Sequence, residues 1–203
     1  MSEQLHISTC VSKLGANIPS VNLPPVVTCR KDAPCYKKCY ARKGRFCFPR
    51  NKNYLEQNLH KWETDPKGFE INVKLAALPV KFFRWHSSGD IPDMKYLEMM
   101  VRVAIETPDT HFLCFSKKYE MVNEWLDKFG NFPPNLNIVY SAWGNFIPEN
   151  PHHLPMAYIK LRKESCNIPE DAHHCPKYCG DCVMTGCSCW DLRRGESVFF
   201  DEH

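Results

Sequence analysis

The sequence has no run of eighteen apolar residues, and its first thirty residues lack the charged, then apolar, then small-residue order of a secretory signal. These absences predict a cytoplasmic protein that does not insert into a membrane. Lysine and arginine exceed aspartate and glutamate by only three in 203 residues, so net charge by itself indicates no polyanionic partner. No internal repeat is visible. A chain of this length is expected to build one main core with a small appendage.

Cysteine, in contrast, is abundant, with twelve residues, nine of which fall into two groups. The first group comprises Cys29, Cys35, Cys39 and Cys47, and the second comprises Cys175, Cys179, Cys182, Cys187 and Cys189. In a reducing compartment such clustered thiols indicate metal binding or catalysis rather than disulfides.

Between the two groups, strand and helix patterns alternate, which predicts βαβ crossovers and a mostly parallel sheet. The predicted strands cover residues 23–29, 80–86, 111–116, 136–143 and 156–161, and the predicted helices cover 54–78 (two helices), 94–105 and 119–129. The fold class expected is therefore α/β, an incomplete (β/α) barrel of about five mostly parallel strands over residues 1–163. Residues 164–203 carry too few aliphatic side chains for a core of their own, which predicts a cysteine-rich, metal-binding C-terminal extension.

Cys29, Cys35 and Cys39 lie within eleven residues, directly after a predicted strand. Three thiolates from one loop can bind a metal centre and leave a coordination position open for a small molecule. A fourth ligand, Cys47 or Cys10, would instead indicate electron transfer or a structural role. A zinc knuckle built from Cys29, Cys35, Cys39 and Cys47 is the alternative.

The segment from Arg84 to Asp90 ends a predicted buried strand with small residues and a carboxylate. Ligands of parallel α/β folds bind at the carboxyl ends of strands. The next two predicted strands end at Ser116 to Lys118 and at Ser141, so these residues are expected at the same edge of a parallel sheet. Asp90 is predicted to cap a helix that starts near Pro92, either as its only role or together with a contact to a ligand. By the two-residue period of a strand, Arg84 and His86 are predicted to share one face.

The second cysteine group places five thiols in fifteen residues, enough to supply four ligands to an iron–sulfur cluster or to zinc. Either Cys187 or Cys189 is then surplus, and His173 or His174 could replace a thiol. Between Arg30 and Lys52 stand nine basic residues against one acid. This basic segment is read as a solvated face, an electropositive rim around a cluster, or a nucleic-acid footprint.

Several of these segments resemble an uncharacterised protein family common in phage genomes. The resemblance rests on Asn22-Leu-Pro-Pro-Val-Val-Thr-Cys29, on Cys35-Tyr-Lys-Lys-Cys39-Tyr-Ala-Arg-Lys-Gly44, on Arg84-Trp-His-Ser-Ser-Gly-Asp90 and on the closing cysteine–tryptophan pair. That family is similar to the radical S-adenosylmethionine enzymes, whose three-cysteine loop follows the first barrel strand and carries a [4Fe–4S] cluster. Here the cysteine gaps are five and three residues, wider than is usual in those enzymes.

The resemblance implies a minimal radical S-adenosylmethionine-like redox enzyme of a phage-infected host, with one or two [4Fe–4S] clusters and an electron-donor protein as partner. Asp90 would pair with the ammonium of the cofactor, and Ser88 and Gly89 would supply backbone contacts. Independently of the resemblance, a buried Arg84 needs an anionic partner, either a ligand or an internal salt bridge, and Arg84 and Tyr40 are predicted as further cofactor contacts. The family's closing cysteine favours Cys189 beside Cys175, Cys179 and Cys182. The alternative is a non-catalytic iron–sulfur or zinc protein that acts as an electron-transfer, nucleic-acid or partner-binding module.

Overall fold

The computed structural model describes residues 4–9, 13–15, 17–162, 164–186 and 188–202. Its elements in chain order are β1 (Ile7–Ser8), β2 (Ser20–Val21), α1 (Pro49–Thr64), α2 (Pro66–Ala77), β3 (Phe82–Trp85), α3 (Met94–Glu106), β4 (His111–Ser116), α4 (Tyr119–Phe129), β5 (Leu136–Ser141), β6 (Met156–Lys160), β7 (His173–His174), α5 (Cys179–Thr185) and β8 (Ser197–Asp201). None of the helices in this part of the chain is both long enough and apolar enough to cross a membrane.

The strands form one open sheet in the order β1-β2-β3-β4-β5-β6-β8-β7. Every neighbouring pair is parallel except β1 and β2, which are antiparallel. The expected α/β class and mostly parallel sheet are confirmed. The sheet has eight strands rather than about five: four of the predicted strands are present as β3 to β6, and three two-residue strands and β8 add to them.

The prediction of a strand over residues 23–29 is wrong. The preceding strand, β2, ends at Val21, and the chain makes a turn at residues 25–27. Two consecutive prolines, Pro24 and Pro25, supply no backbone N–H for a ladder. The Thr28 N–H instead donates to the Pro24 carbonyl over 3.3 Å, and Val26 adopts a φ of 74°. This backbone constraint outweighs the β propensity of the Val-Val-Thr run.

The two helices expected over residues 54–78 are present as α1 and α2, and Asp65 between them caps α2 by accepting a hydrogen bond from Gly68 N–H. The helices α1 to α4 cover one side of the sheet, which we call the helix face. Its buried core includes Phe83, Trp85 and Phe112. Because side chains alternate along a strand, the residues next to these in β3 and β4 point to the opposite side of the sheet.

That opposite side, the tail face, is covered by the C-terminal segment and by residues near Leu14. Its core contains Leu113 and Val139 from the sheet, with Cys175 and Trp190 from the segment. β8 pairs in parallel with β6, so the end of the chain is part of the same sheet. The boundary near residue 163 stays a prediction. The fold therefore places the second cysteine group against the sheet.

Candidate metal centre

The loop that carries the first cysteines is fastened to the loop between β3 and α3 by a buried asparagine. Asn22 Oδ1 accepts hydrogen bonds from the backbone N–H groups of Ser87 (2.7 Å) and Ser88 (3.2 Å). The Asn22 amide also donates to Ser20 Oγ over 3.0 Å. In addition, Leu23 N–H donates to the Ser88 carbonyl over 3.0 Å. These bonds occupy backbone groups of Ser88 that the sequence had suggested for a cofactor.

Gly89 is the point of closest approach between the two loops. Its φ is +82°, and a Cβ added there would lie 2.7 Å from the Leu23 carbonyl oxygen and 2.8 Å from Thr28 Oγ1. Thr28 Oγ1 also accepts a 3.0 Å hydrogen bond from Asp90 N–H. Glycine is thus needed at this position for a contact within the chain, and the contact fixes the backbone one residue before Cys29.

Asp90 is buried, and its carboxylate accepts three hydrogen bonds from other groups of the protein. It accepts from Ser116 Oγ (2.7 Å), from Lys117 N–H (2.8 Å) and from the adjacent Ile91 N–H (2.8 Å). Burial raises the pKa of this carboxyl, while the backbone N–H of Lys117 and the Ser116 hydroxyl act in the opposite direction. The predicted cap on a helix near Pro92 is wrong, because α3 begins at Met94 and is capped by Asp93.

The carboxyl ends of three parallel strands meet at this point, as the sequence predicted. Asp90 follows β3, Ser116 and Lys117 end β4, and Ser141 ends β5. Lys117 Nζ donates to Ser141 Oγ over 2.8 Å, which links the second and third of these ends. The result is a polar row of strand ends lying next to the cysteine loop.

The thiols of Cys29, Cys35 and Cys39 lie close enough to one another to interact electrostatically. Burial, followed by the nearby Asp90 charge, raises the pKa of Cys29 to about 11, whereas the Val26 backbone N–H donates to the sulfur and opposes the rise. Burial also raises the pKa of Cys35, and the Lys117 ammonium counteracts it. The loop therefore brings together three thiols, a backbone donor and a cation.

Cys47 lies at the end of a short 3-10 turn over Gly44–Cys47. In the described part of the chain it has no hydrogen bond or charge interaction with the other three thiols. Cys10, the other suggested fourth ligand, lies outside the described residues. The geometry thus joins three thiols of the first group and leaves the fourth apart.

Tyr40 directly follows Cys39, and its side chain is about half exposed while its hydroxyl contacts the β3–α3 loop. The hydroxyl donates to the Ser87 carbonyl over 2.5 Å, and its burial raises the pKa of Tyr40 to about 12. The charges nearest to it are those of Arg84 and of the three thiols. Tyr40 therefore ties the cysteine loop to the β3–α3 loop.

Arg84 and His86 do not share a face, so that prediction is wrong. Arg84 lies on the tail face with its guanidinium carbon 4.1 Å from the centroid of the Phe115 ring. His86 lies on the helix face, where Nε2 is 3.1 Å from the Tyr96 hydroxyl and Nδ1 is 3.8 Å from Cys114 Sγ. β3 ends at Trp85 and His86 has a φ of 55°, which breaks the two-residue alternation.

The second cysteine group is attached to the tail face at several points. Cys175 N–H donates to the Phe199 carbonyl on β8 over 2.9 Å, and Cys179 N–H donates to the Lys13 carbonyl over 3.0 Å. Cys182 lies three residues after Cys179 on α5, on the same side of the helix. Burial raises the pKa of Cys189 to about 12, and the thiols of Cys175, Cys179 and Cys182 contribute to the rise.

Three further residues of this segment were predicted as alternative ligands, namely Cys187, His173 and His174. Cys187 lies outside the described residues. His174 is engaged elsewhere, since its Nε2 lies 3.0 Å from Asp201 Oδ2 and its ring stacks on Phe199. His173 is exposed beside it on the edge strand β7. The thiols of Cys175, Cys179 and Cys182 thus lie within electrostatic range of Cys189, whereas His174 is bonded elsewhere.

In the described part of the chain, no group of three or more cysteine, histidine or acidic side chains is arranged to hold a metal ion as it stands. The donor set nevertheless fits a soft metal or an iron–sulfur cluster, which thiolates bind in preference to oxygen ligands. Within each group the thiols already interact electrostatically. Loading a metal would require the side chains of each group to close on it.

The basic segment is only partly neutralised. Arg30 forms ion pairs with Asp32 (2.7 Å) and with Glu120 of α4 (2.8 Å), and Lys38 pairs with Glu164 over 3.3 Å. The remaining basic residues of the segment have no carboxylate partner among the residues that the structure describes; they are Lys31, Lys37, Arg42, Lys43, Arg45, Arg50 and Lys52. The segment that carries the first thiol group therefore keeps an excess of positive charge.

A family model described as Gene product 88 matches residues 3–164. The chain belongs to the Gene product 88 family. The match bears out the expected phage-associated family, and it contains the first cysteine group and the β3–α3 loop. No curated protein and no solved structure matches the chain.

Two asparagines that position these groups were missed by the sequence reasoning. Asn22 joins the cysteine loop to the β3–α3 loop. The side-chain amide of Asn137 on β5 donates to the backbone carbonyls of Cys189 and Leu192 and so holds the second group. For Asn22, its position directly before Leu-Pro-Pro could have indicated a turn-forming side chain. Asn137 sits within an apolar strand pattern, where a buried amide indicates a specific hydrogen-bond partner.

Proposed function

We propose that the chain is an iron–sulfur protein, with a [4Fe–4S] cluster on Cys29, Cys35 and Cys39 and a second metal centre on the thiols of the C-terminal segment. The observation that carries the proposal is the grouping of three loop thiols beside the carboxyl ends of β3, β4 and β5. Ligands of parallel α/β proteins bind at this edge. Three cysteines leave one iron without a protein ligand, which favours binding of a small molecule there.

We further propose that the protein acts as a minimal radical S-adenosylmethionine-like redox enzyme. When bound and reduced, the cluster would supply the electron that cleaves the sulfonium of the cofactor. The chain's own part is to hold the loop: Asn22, Gly89 and Tyr40 fix it against the β3–α3 loop. Lys117 beside Cys35 favours the thiolate form that a metal needs.

The decisive test is anaerobic purification followed by iron, sulfide and zinc analysis, with low-temperature EPR of the reduced protein before and after adding S-adenosylmethionine. Iron and sulfide with a signal that changes on adding the cofactor support the enzyme. Iron with an EPR signal that S-adenosylmethionine does not change favours a non-catalytic iron–sulfur protein. Zinc without iron contradicts the proposal.

Variants assign the ligands. Cys35→Ala should remove the cluster of the first group, and Cys47→Ala should leave it intact. Cys166→Ala is the matched control, because Cys166 lies outside both groups and its sulfur accepts a hydrogen bond from Leu161 N–H. Loss of the first cluster in Cys47→Ala would instead indicate a closed, four-cysteine cluster.

The unneutralised basic segment favours nucleic-acid binding as a second candidate function. Titration of a labelled single-stranded DNA at two salt concentrations tests it. Binding that weakens steeply with salt, and that Lys43→Glu with Arg45→Glu reduces further, would support this role. Binding that is absent at low salt would exclude it.

A further inference from the structure

Arg84 is a buried cation that has no partner of opposite charge among the residues that the structure describes. The residue is only 8% exposed, and its Nε is buried without a hydrogen-bond partner. Its guanidinium stacks on the Phe115 ring, but in the described part of the chain it forms no ion pair and donates no hydrogen bond. A desolvated guanidinium in this state is unfavourable, and contact with one aromatic ring offsets only part of the cost. An anion bound next to Arg84 would offset the remaining cost of burying its charge.

The second cysteine group lies over the same part of the sheet. Arg84 pairs with Leu113, and Leu113 pairs with Asn137, so these three residues form one row across β3, β4 and β5 on the tail face. The Asn137 amide donates to the carbonyl of Cys189 over 2.9 Å. Trp190 Nε1 donates to the carbonyl of Phe83, the residue before Arg84, over 3.2 Å. Cys189 is thus held above the row that begins with Arg84.

Charge interactions agree with this placement. Burial raises the pKa of Cys179 and of Cys189, and the Arg84 guanidinium opposes the rise at both thiols. Arg84 also acts on the pKa of Tyr40, but it is not among the causes that shift the pKa of Cys29 or Cys35. Asp90, the buried carboxylate nearby, already accepts three hydrogen bonds from other donors.

We propose that Arg84 is the counter-ion of a thiolate metal centre formed by Cys175, Cys179, Cys182 and Cys189, and not a contact for a small-molecule cofactor. The inference rests on the proposed metal binding by these thiols. A metal held by four thiolates carries net negative charge, and it would sit against the tail face where the unpaired guanidinium lies.

The proposal predicts opposite effects of one substitution in two states of the protein. Without metal, Arg84→Met removes an unpaired buried charge and keeps the apolar stem, so the melting temperature should rise. With metal, the same change removes the counter-ion, so the melting temperature should fall relative to the loaded wild type. A purely structural arginine would lower the melting temperature in both states.

The experiment uses the full chain with Cys29→Ala and Cys35→Ala, so that only the second centre is left. Cobalt(II) is titrated against a chelator of known affinity, and sulfur-to-cobalt charge-transfer absorption reports thiolate binding. Arg84→Met should weaken cobalt binding by about tenfold or more, since removing one charge at short range in a protein changes affinity by at least that factor. Arg84→Lys should restore most of it.

Arg102→Met is the matched control, because Arg102 is half exposed and pairs with Glu70 away from the thiols. Unchanged cobalt affinity in Arg84→Met, or a lower melting temperature in both states, would overturn the assignment. Absence of cobalt binding in the unsubstituted Arg84 background would overturn it too. Iron in the first centre is measured in the full chain with Cys175→Ala and Cys179→Ala, so failure of the function proposed for that centre is recognised independently.

Discussion

Gly89→Ala tests whether the β3–α3 loop serves to seat the cysteine loop. At Gly89 φ is +82°, and the new Cβ would lie 2.7 Å from the Leu23 carbonyl oxygen, an atom of the main chain that cannot move alone. The left-handed backbone costs an alanine about 1–2 kcal/mol. The overlap adds about 1–3 kcal/mol, the usual range for overpacking. The expected total loss of unfolding free energy is ~2–5 kcal/mol.

Gly195→Ala is the control that separates the two contributions. Its φ is +84°, almost the same, but no atom lies within 4 Å of the added Cβ. Only the backbone cost of about 1–2 kcal/mol should therefore appear. Urea unfolding followed by tryptophan fluorescence gives both free energies, and the rate of thiol labelling at Cys29 reports the position of the loop.

Gly89→Ala should also speed the labelling of Cys29, because Thr28 would be displaced from Asp90. Equal free-energy losses in the two variants, with unchanged labelling of Cys29, would refute the reasoning. The close approach at Gly89 would then have no part in holding the cysteine loop.

Three further outcomes are expected. Asn22→Ala leaves the N–H groups of two serines without their acceptor, so it should lower the unfolding free energy by about 2–4 kcal/mol in urea titrations and release metal from the first group. Asn137→Ala frees carbonyl groups of the second group, so limited proteolysis should cut the C-terminal segment faster while β4 and β5 stay protected from hydrogen exchange. Burial holds the pKa of His86 at about 3, below its ordinary 6.5, so the folded protein keeps the ring neutral while the unfolded chain protonates it. Stability should accordingly be lost as pH falls from about 6.5 towards 3, by up to ~1.4 kcal/mol per pH unit, and His86→Asn should flatten that slope between pH 4 and 6 in urea titrations; an unchanged slope would contradict it.

Where the sequence pattern was strong, it predicted local structure well. β4 and α4 have the predicted bounds, and the break at Asp65 between α1 and α2 follows from the proline and glycine after it. The meeting of strand ends at Asp90, Lys117 and Ser141 followed from parallel pairing alone, since parallel strands end at the same edge.

The errors arose where one local signal overrode another. The prolines before Val26 and the positive φ at His86 broke the predicted strand patterns, and a side-chain period cannot predict such a change in backbone conformation. β8 was missed because its short apolar run follows a segment dominated by cysteine, proline and glycine.

By itself the sequence determined the α/β class, the two groups of cysteines along the chain and the common edge at which β3, β4 and β5 end, because periodicity and spacing are local properties. Only the tertiary structure decided which face the second group covers, that Asn22 and Gly89 join two loops, and that Arg84 is buried with no anionic partner in the described part of the chain. These facts depend on residues far apart in the chain, such as Arg84 and Cys189, and their proximity arises from the packing of the whole sheet.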